Sequence, residues 1–229
     1  MKHLDLTIDF ETCAMSANAA PMQVAVVPWL RDNDVDPFCN EQEVEPYVGY
    51  VDLRTCVVSG FDFDPDTIKW WAGRSGAAKR AVCNSLAEPL YDVLIEMFDY
   101  IRDLVSRFEL TSICLWCQGM DFDAAILRNL CRKYNIHLEE IIPHTSFRDC
   151  RTVILEAALI VARRSLNYES NRANGIVLPE QILAGSYDVY KMFTPLPDRY
   201  AEDGAAHDAL YDAVRSSWNT WQALKWLNQ

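Results

Sequence analysis

The chain is 229 residues long, 50% hydrophobic, with 21 basic against 33 acidic side chains and a formal net charge of −12. That length and apolar share suit one α/β domain with insertions and a sizeable core. The longest clean apolar run, 157–162, is too short to span a bilayer, and a pI near 4.7 argues against long tracking contacts on a polyanion, which need many Lys and Arg.

Met1-Lys2-His3 leads straight into a strand-like segment, so no secretory signal is expected before it. Residues 4–10 alternate apolar and polar side chains, the pattern of a half-buried strand. Asp9 and Glu11 then project from one face with their Cα atoms roughly 6.6 Å apart. Like carboxylates so close repel unless a cation sits between them. Taken alone, the pair reads first as an acidic, solvated sheet face. Strands at 23–27 and 47–51 follow, punctuated by Pro21, Pro28, Pro37 and Pro46, with an acidic loop over 31–46.

Helical patterns run over 66–83 and 88–108, with Pro65 and Pro89 near their starts. Trp70 and Trp71 would point about 100° apart on a helix, so one could be core and the other a stacking platform. The apolar run 112–117 reads as a buried strand. Gly119 ends it, and Ile126, Leu127, Leu130 and Tyr134 set a helical period over 122–134. Asp121 and Asp123 sit at that strand-to-helix turn, where an aspartate equally suits a helix cap or a site at a strand's carboxyl end.

A short strand at 146–148 and a helix over 150–164 come next, then a mostly irregular stretch, 165–206, and a closing helix over 207–227. Five residues on a helix turn by about 140°, so His207 and Asp212 cannot share one helix face. His207 is therefore expected in a loop or the first turn. Leu210, Val214, Trp218 and Trp221 form the apolar stripe and leave Asp212 on its flank beside Arg215. Basic residues bunch at Arg128-Arg132-Lys133, Arg148-Arg151 and Arg163-Arg164; the first and third read as solvated helix faces. Eight cysteines at scattered positions read as cytosolic thiols. Cys114 and Cys117 lack a second pair at zinc spacing, so no structural zinc is expected.

Ile8-Asp9-Phe10-Glu11-Thr12, Phe122-Asp123 at a helix start and His207-Asp208-Ala209-Leu210-Tyr211-Asp212 together resemble the DEDDh group of 3′-to-5′ exonucleases. With Thr67-Ile68-Lys69-Trp70-Trp71, Trp116-Cys117-Gln118-Gly119 and Arg148-Asp149-Cys150-Arg151-Thr152, the chain looks most like the phage DexA-type exodeoxyribonucleases. The resemblance implies an α/β ribonuclease H-like (exonuclease) fold, a mixed central β-sheet flanked by α-helices. It would be a single domain over 1–229 with a helical insertion around 60–108.

It also implies metal-dependent 3′-to-5′ hydrolysis of single-stranded DNA to 5′-mononucleotides. Asp9, Glu11, Asp123 and Asp212 would hold two Mg²⁺ ions, with Mn²⁺ able to substitute, and His207 would be the general base. Phe10, Thr12, Trp71, Phe122, Arg148 and Arg151 are the candidate substrate contacts. Gly119 stands where many relatives carry asparagine, and Asp121 competes with Asp123 for the third ligand position. The partner would be a single-stranded DNA 3′ end in the cytoplasm of a bacterium or phage-infected cell, with no membrane. A 3′-to-5′ exoribonuclease, a small-nucleotide phosphoesterase and a catalytically silent nucleic-acid-binding module are the alternatives.

Overall fold

The structure, a computed structural model, describes residues 3–38, 44–166, 177–200 and 206–228. Parts of the expected loop at 31–46 and irregular stretch at 165–206 lie outside the described residues. Five strands, β1 (His3–Thr12), β2 (Pro21–Trp29), β3 (Tyr47–Tyr50), β4 (Ser112–Cys117) and β5 (Phe147–Asp149), form one sheet in the order β3-β2-β1-β4-β5. β1, β2 and β3 pair antiparallel, whereas β4 joins β1 and β5 joins β4 in parallel. This is the mixed, helix-flanked ribonuclease H-like sheet that the resemblance implies.

Eight helices connect and cover the strands among the described residues. They are α1 (Leu53–Val58), α2 (Pro65–Ala72), α3 (Gly76–Val82), α4 (Leu90–Arg107), α5 (Asp123–Lys133), α6 (Cys150–Leu166), α7 (Pro179–Leu183) and α8 (Ala209–Leu227). The helix expected over 66–83 is two. Gly73 caps α2, and Ser75, whose side chain accepts the Ala78 N–H, starts α3. The six-residue α1 was not expected, because it buries only Cys56 and shows no apolar period.

The even residues of β1 pack in the larger core. Leu4, Leu6, Ile8 and Phe10 meet Leu94, Phe98 and Ile101 of α4 and Ile126, Leu127 and Leu130 of α5. The expectation of a half-buried β1 needs correction, because the odd, polar face is covered too. Asp5 and Thr7 are fully buried under the layer made by α6 and α8. Burying polar groups is tolerable only with partners, and each has them. Thr7 Oγ1 accepts from Trp29 Nε1 (2.9 Å) and from Ser217 Oγ of α8 (2.8 Å). Asp5 accepts from Arg31 Nε (2.7 Å) and from Trp116 Nε1 (2.7 Å). The two remaining members of this polar row, Asp9 and Glu11, lie at the carboxyl end of β1. β4 pairs with β1 only as far as Ile8↔Cys117, so the end of β1 runs on past its parallel neighbour. The sheet thus delivers an acidic pair to the place where its parallel strands stop.

Candidate active site

Three segments converge beyond the ends of β1 and β4. From β1 come Asp9 and Glu11. From α5 comes Asp123, nearly fully buried at 2% exposure. A helix-capping role for Asp123 is excluded: the cap residue is Phe122, with no side-chain cap bond. Instead Asp123 Oδ1 accepts the backbone N–H of Phe10 (3.1 Å), tying the helix start to the carboxyl end of β1. Asp121, the rival for this position, is exposed and also borders the cavity.

From the start of α8 come His207 and Asp212. Asp208 caps α8 by accepting the Leu210 N–H (2.9 Å), while Gln23 Oε1 of β2 accepts the Ala209 N–H (3.0 Å) and moors the helix start to the sheet. His207 stands just outside the helix at φ 71°, a left-handed conformation uncommon for a residue with a side chain. Its backbone N–H donates to Asp212 Oδ2 (2.9 Å). That turn overcomes the helical offset between the two residues and brings both into one site. Glu11, His207 and Asp212 each place one side-chain ligand atom within 4.8 Å of the others.

The cavity they border has a volume of about 770 Å³. Asp9, Glu11, Asp123, His207 and Asp212 all line it, as do Phe10, Thr12, Trp71, Phe122 and Arg151 among the expected substrate contacts. Arg148 is not brought there. Its Nη1 donates to the carbonyls of Thr145 (2.6 Å) and Phe147 (2.8 Å), which hold the side chain against its own backbone. Trp71 is the buried member of the tryptophan pair, its Nε1 donating to the Thr12 carbonyl (3.0 Å). Trp70 is 40% exposed and packs edge-on against the His207 ring at 4.6 Å, with the Arg74 guanidinium over its own ring at 4.2 Å. Trp70 is therefore the more exposed ring of the pair. Met15, Asp64, Asp66, Thr67, Gln118 and Ser216 also line the cavity. Gln118 lies within a motif-bearing stretch, so its position was open to notice. Met15, in a loop with no periodicity, carried no signal.

Electrostatics set this site apart. Burial, followed by the charges of Asp123, Glu11 and Asp212, pushes the Asp9 carboxyl well above the usual range. Burial and the neighbouring Asp212, Asp208 and Asp123 push Glu11 up to about 8. Burial pushes Asp123 up to about 7, although the Phe10 N–H and Arg151 favour its ionised form. Arg215 Nη2 lies 2.9 Å from Asp212 Oδ1, an ion-pair distance without hydrogen-bond alignment. Crowded, under-neutralised carboxylates of this kind are a hard, oxygen-rich donor set that fits divalent cations such as Mg²⁺ or Mn²⁺.

A second cluster, His3, Asp5 and Cys114, also brings ligand-type atoms together. Burial raises the Asp5 pKa, but its bonds with Arg31, His3 and Trp116 outweigh that and hold it below the usual value. A guanidinium already serves as its cation. Cys114 and Cys117 fall in separate cores on opposite faces of β4, as their odd spacing on a strand requires.

A family profile described as the 3′-5′ exoribonuclease Rv2179c-like domain matches residues 4–176. The exodeoxyribonuclease of Enterobacteria phage T4 is 24% identical over 212 residues, covering 92% of this chain and 85% of the phage protein. Among solved structures, the zinc-bound E. coli ExoI–ssDNA complex aligns at TM-score 0.48 and 15% identity, over 100% of this chain and 41% of that one. The chain thus spans less than half of that protein's length. The nuclease domain of 3′hExo, a DEDDh family member bound to rAMP, aligns at TM-score 0.47 and 14% identity, over 97% and 92% of the two chains. No helix among the described residues is long and apolar enough to cross a membrane.

Proposed function

Since the chain belongs to the 3′-5′ exoribonuclease Rv2179c-like domain family and is a 3′-to-5′ exonuclease, we propose that it removes 5′-mononucleotides from the 3′ end of single-stranded DNA. The observation that carries this reading is the convergence of Asp9, Glu11, Asp123, Asp212 and His207 on one open cavity from three distant segments. The similarity to a phage exodeoxyribonuclease over most of both chains favours DNA as the strand.

In this reading Asp9, Glu11, Asp123 and Asp212 would hold two divalent ions, Mg²⁺ or Mn²⁺. When bound, the ions would offset the crowded carboxylates and stabilise charge on the phosphoryl oxygens. The chain's own groups do the rest. His207 accepts the proton of the attacking water, and the resulting imidazolium faces Glu11 and Asp212, which stabilise its charge. Its ring is held edge-on by Trp70, and its backbone by Asp212. Water attacks phosphorus in line and the 3′-oxygen of the preceding nucleotide departs, so the product carries a 5′-phosphate. Trp70 offers its face to the terminal base, while buried Trp71 holds Trp70 at the rim through their 5.1 Å edge contact.

RNA is a second reading, favoured by the description of the matching family. No residue of the cavity is assigned to the 2′-hydroxyl. End-labelled DNA and RNA single strands of matched sequence, each with Mg²⁺ or Mn²⁺, decide between them. Faster stepwise release of 5′-deoxymononucleotides from the 3′ end supports the proposal. Products starting as internal fragments, or from the 5′ end, overturn it, and faster cleavage of the RNA strand assigns the second reading.

A further inference from the structure

Two arginines line the cavity. Arg215 stands beside Asp212 at ion-pair distance. Arg151, on the first turn of α6, is exposed, and among the described residues it makes no ion pair or hydrogen bond. In a chain of net charge −12, an unpaired guanidinium at the mouth of an acidic site is unusual. Arg151 lies directly over Gly119. A Cβ placed on Gly119 would stand 3.0 Å from Arg151 Cζ and Nη1 and 3.1 Å from Nη2. The glycine's missing side chain is the space the guanidinium occupies.

That placement is built rather than incidental. Asp149, the last residue of β5, accepts the Met120 N–H on one oxygen (3.2 Å) and the Thr152 N–H on the other (2.9 Å). One carboxylate thereby clamps the turn carrying Gly119 to the helix turn carrying Arg151. Neighbouring Cys150 is fully buried and anchors the start of α6. The guanidinium is near enough to Asp123 for its charge to favour the ionised carboxylate.

Resting on the function proposed above, we infer that Arg151 grips a backbone phosphate of the strand, the one preceding the scissile linkage, and that Gly119 is the seat that admits it. The scissile phosphate belongs among the four carboxylates. Arg151, which makes no hydrogen bond among the described residues, keeps its planar donor edge free for the next phosphate along.

The experiment measures binding of short single-stranded DNA by fluorescence anisotropy, alongside hydrolysis, for the unaltered protein and for Arg151→Ala, Gly119→Ala and the double variant. Each is tested on unmodified strands and on strands with one neutral methylphosphonate at successive positions. A charge-assisted contact predicts about tenfold or more weaker binding for Arg151→Ala. Displacing the guanidinium predicts about a two- to tenfold loss for Gly119→Ala. The double variant should lose no more than Arg151→Ala alone. A methylphosphonate one linkage before the scissile bond should weaken binding to the unaltered protein and leave the Arg151→Ala protein indifferent.

An additive double variant, or a methylphosphonate effect that persists without Arg151, overturns the inference. So does a methylphosphonate effect confined to the scissile linkage. If the unaltered protein hydrolyses no strand, the proposed function fails separately, because the binding pattern is read without turnover.

Discussion

Glu11→Gln should make the metal-free protein more stable at alkaline pH while removing its activity. Burial, then Asp212, Asp208 and Asp123, raise the Glu11 pKa from 4.5 to about 8. A carboxyl whose folded pKa lies above its unfolded one favours folding in its neutral form. Its contribution is complete below pH 4.5 and is lost as pH rises through about 8. At 1.36 kcal/mol per pKa unit the shift costs the ion-free fold on the order of 3–5 kcal/mol at pH 8. Glutamine keeps the shape and cannot ionise, so Glu11→Gln should recover most of that at pH 8 and almost nothing at pH 4.5. In a chain of this size that is a rise in Tm of about 5–15 °C. Thermal unfolding in EDTA, at both pH values, measures it. Mg²⁺ at pH 8 should raise the Tm of the unaltered protein more than that of Glu11→Gln, since a ligand of the folded state alone stabilises by mass action. If the two proteins lose stability in parallel between pH 4.5 and 8, crowding at Glu11 is not a source of the instability and the proposed ion site loses its electrostatic basis.

Asp9→Asn should abolish hydrolysis with the fold intact by circular dichroism, and EDTA should do the same to the unaltered protein; full activity in EDTA would exclude metal-dependent cleavage. His207→Ala should lose about 10²–10⁴-fold in rate yet bind Mn²⁺ as before in isothermal titration. Loss of Mn²⁺ instead would make His207 a ligand rather than the base. The two tryptophans should part company. Trp70→Ala should raise KM, stacking being worth about 1–3 kcal/mol per base, at little cost in stability. Trp71→Ala should destabilise by about 3–5 kcal/mol in urea unfolding, and the reverse assignment would refute the division of roles.

The sheet was legible where signals are local. The alternation in β1 and the short apolar run of β4 each name a strand without help from elsewhere, and Gly119 marks where β4 must turn. What covers the strands was not legible. Thr7 is buried because Ser217, 210 residues on, reaches its hydroxyl, and nothing near Thr7 in the chain announces that partner. The same holds at Asp5, where Arg31 and Trp116 turn an apparently solvent-facing acid into a buried, paired one. Alternation reports side-chain direction, not whether the polar side meets water. The break at Gly73 was hidden differently, because α2 and α3 share enough helical character that only the Ser75 cap separates them.

At the site, the carboxylates could be found because each sits in a compact motif whose spacing constrains it. The substrate side could not be ranked. Arg148 and Arg151 look equivalent in sequence, three residues apart with the same charge. The chain passes from β5 into α6 between them, so Arg148 folds back onto the Thr145 and Phe147 carbonyls while Arg151 is carried over Gly119. A one-residue difference likewise sends Trp71 inward to the Thr12 carbonyl and leaves Trp70 at the rim. The consequence bears on the acidic balance of the whole chain. A nuclease that tracks along duplex DNA needs many cations, because affinity follows the number of phosphates neutralised. Of the two arginines that line the cavity, Arg151 alone lacks an ion pair or hydrogen bond among the described residues, since Arg215 stands against Asp212. In the proposed reading, grip on the strand would come from bound ions, one phosphate contact and base stacking, all at the last few nucleotides. A net charge of −12 is compatible with such an end-on grip, which needs few phosphate contacts.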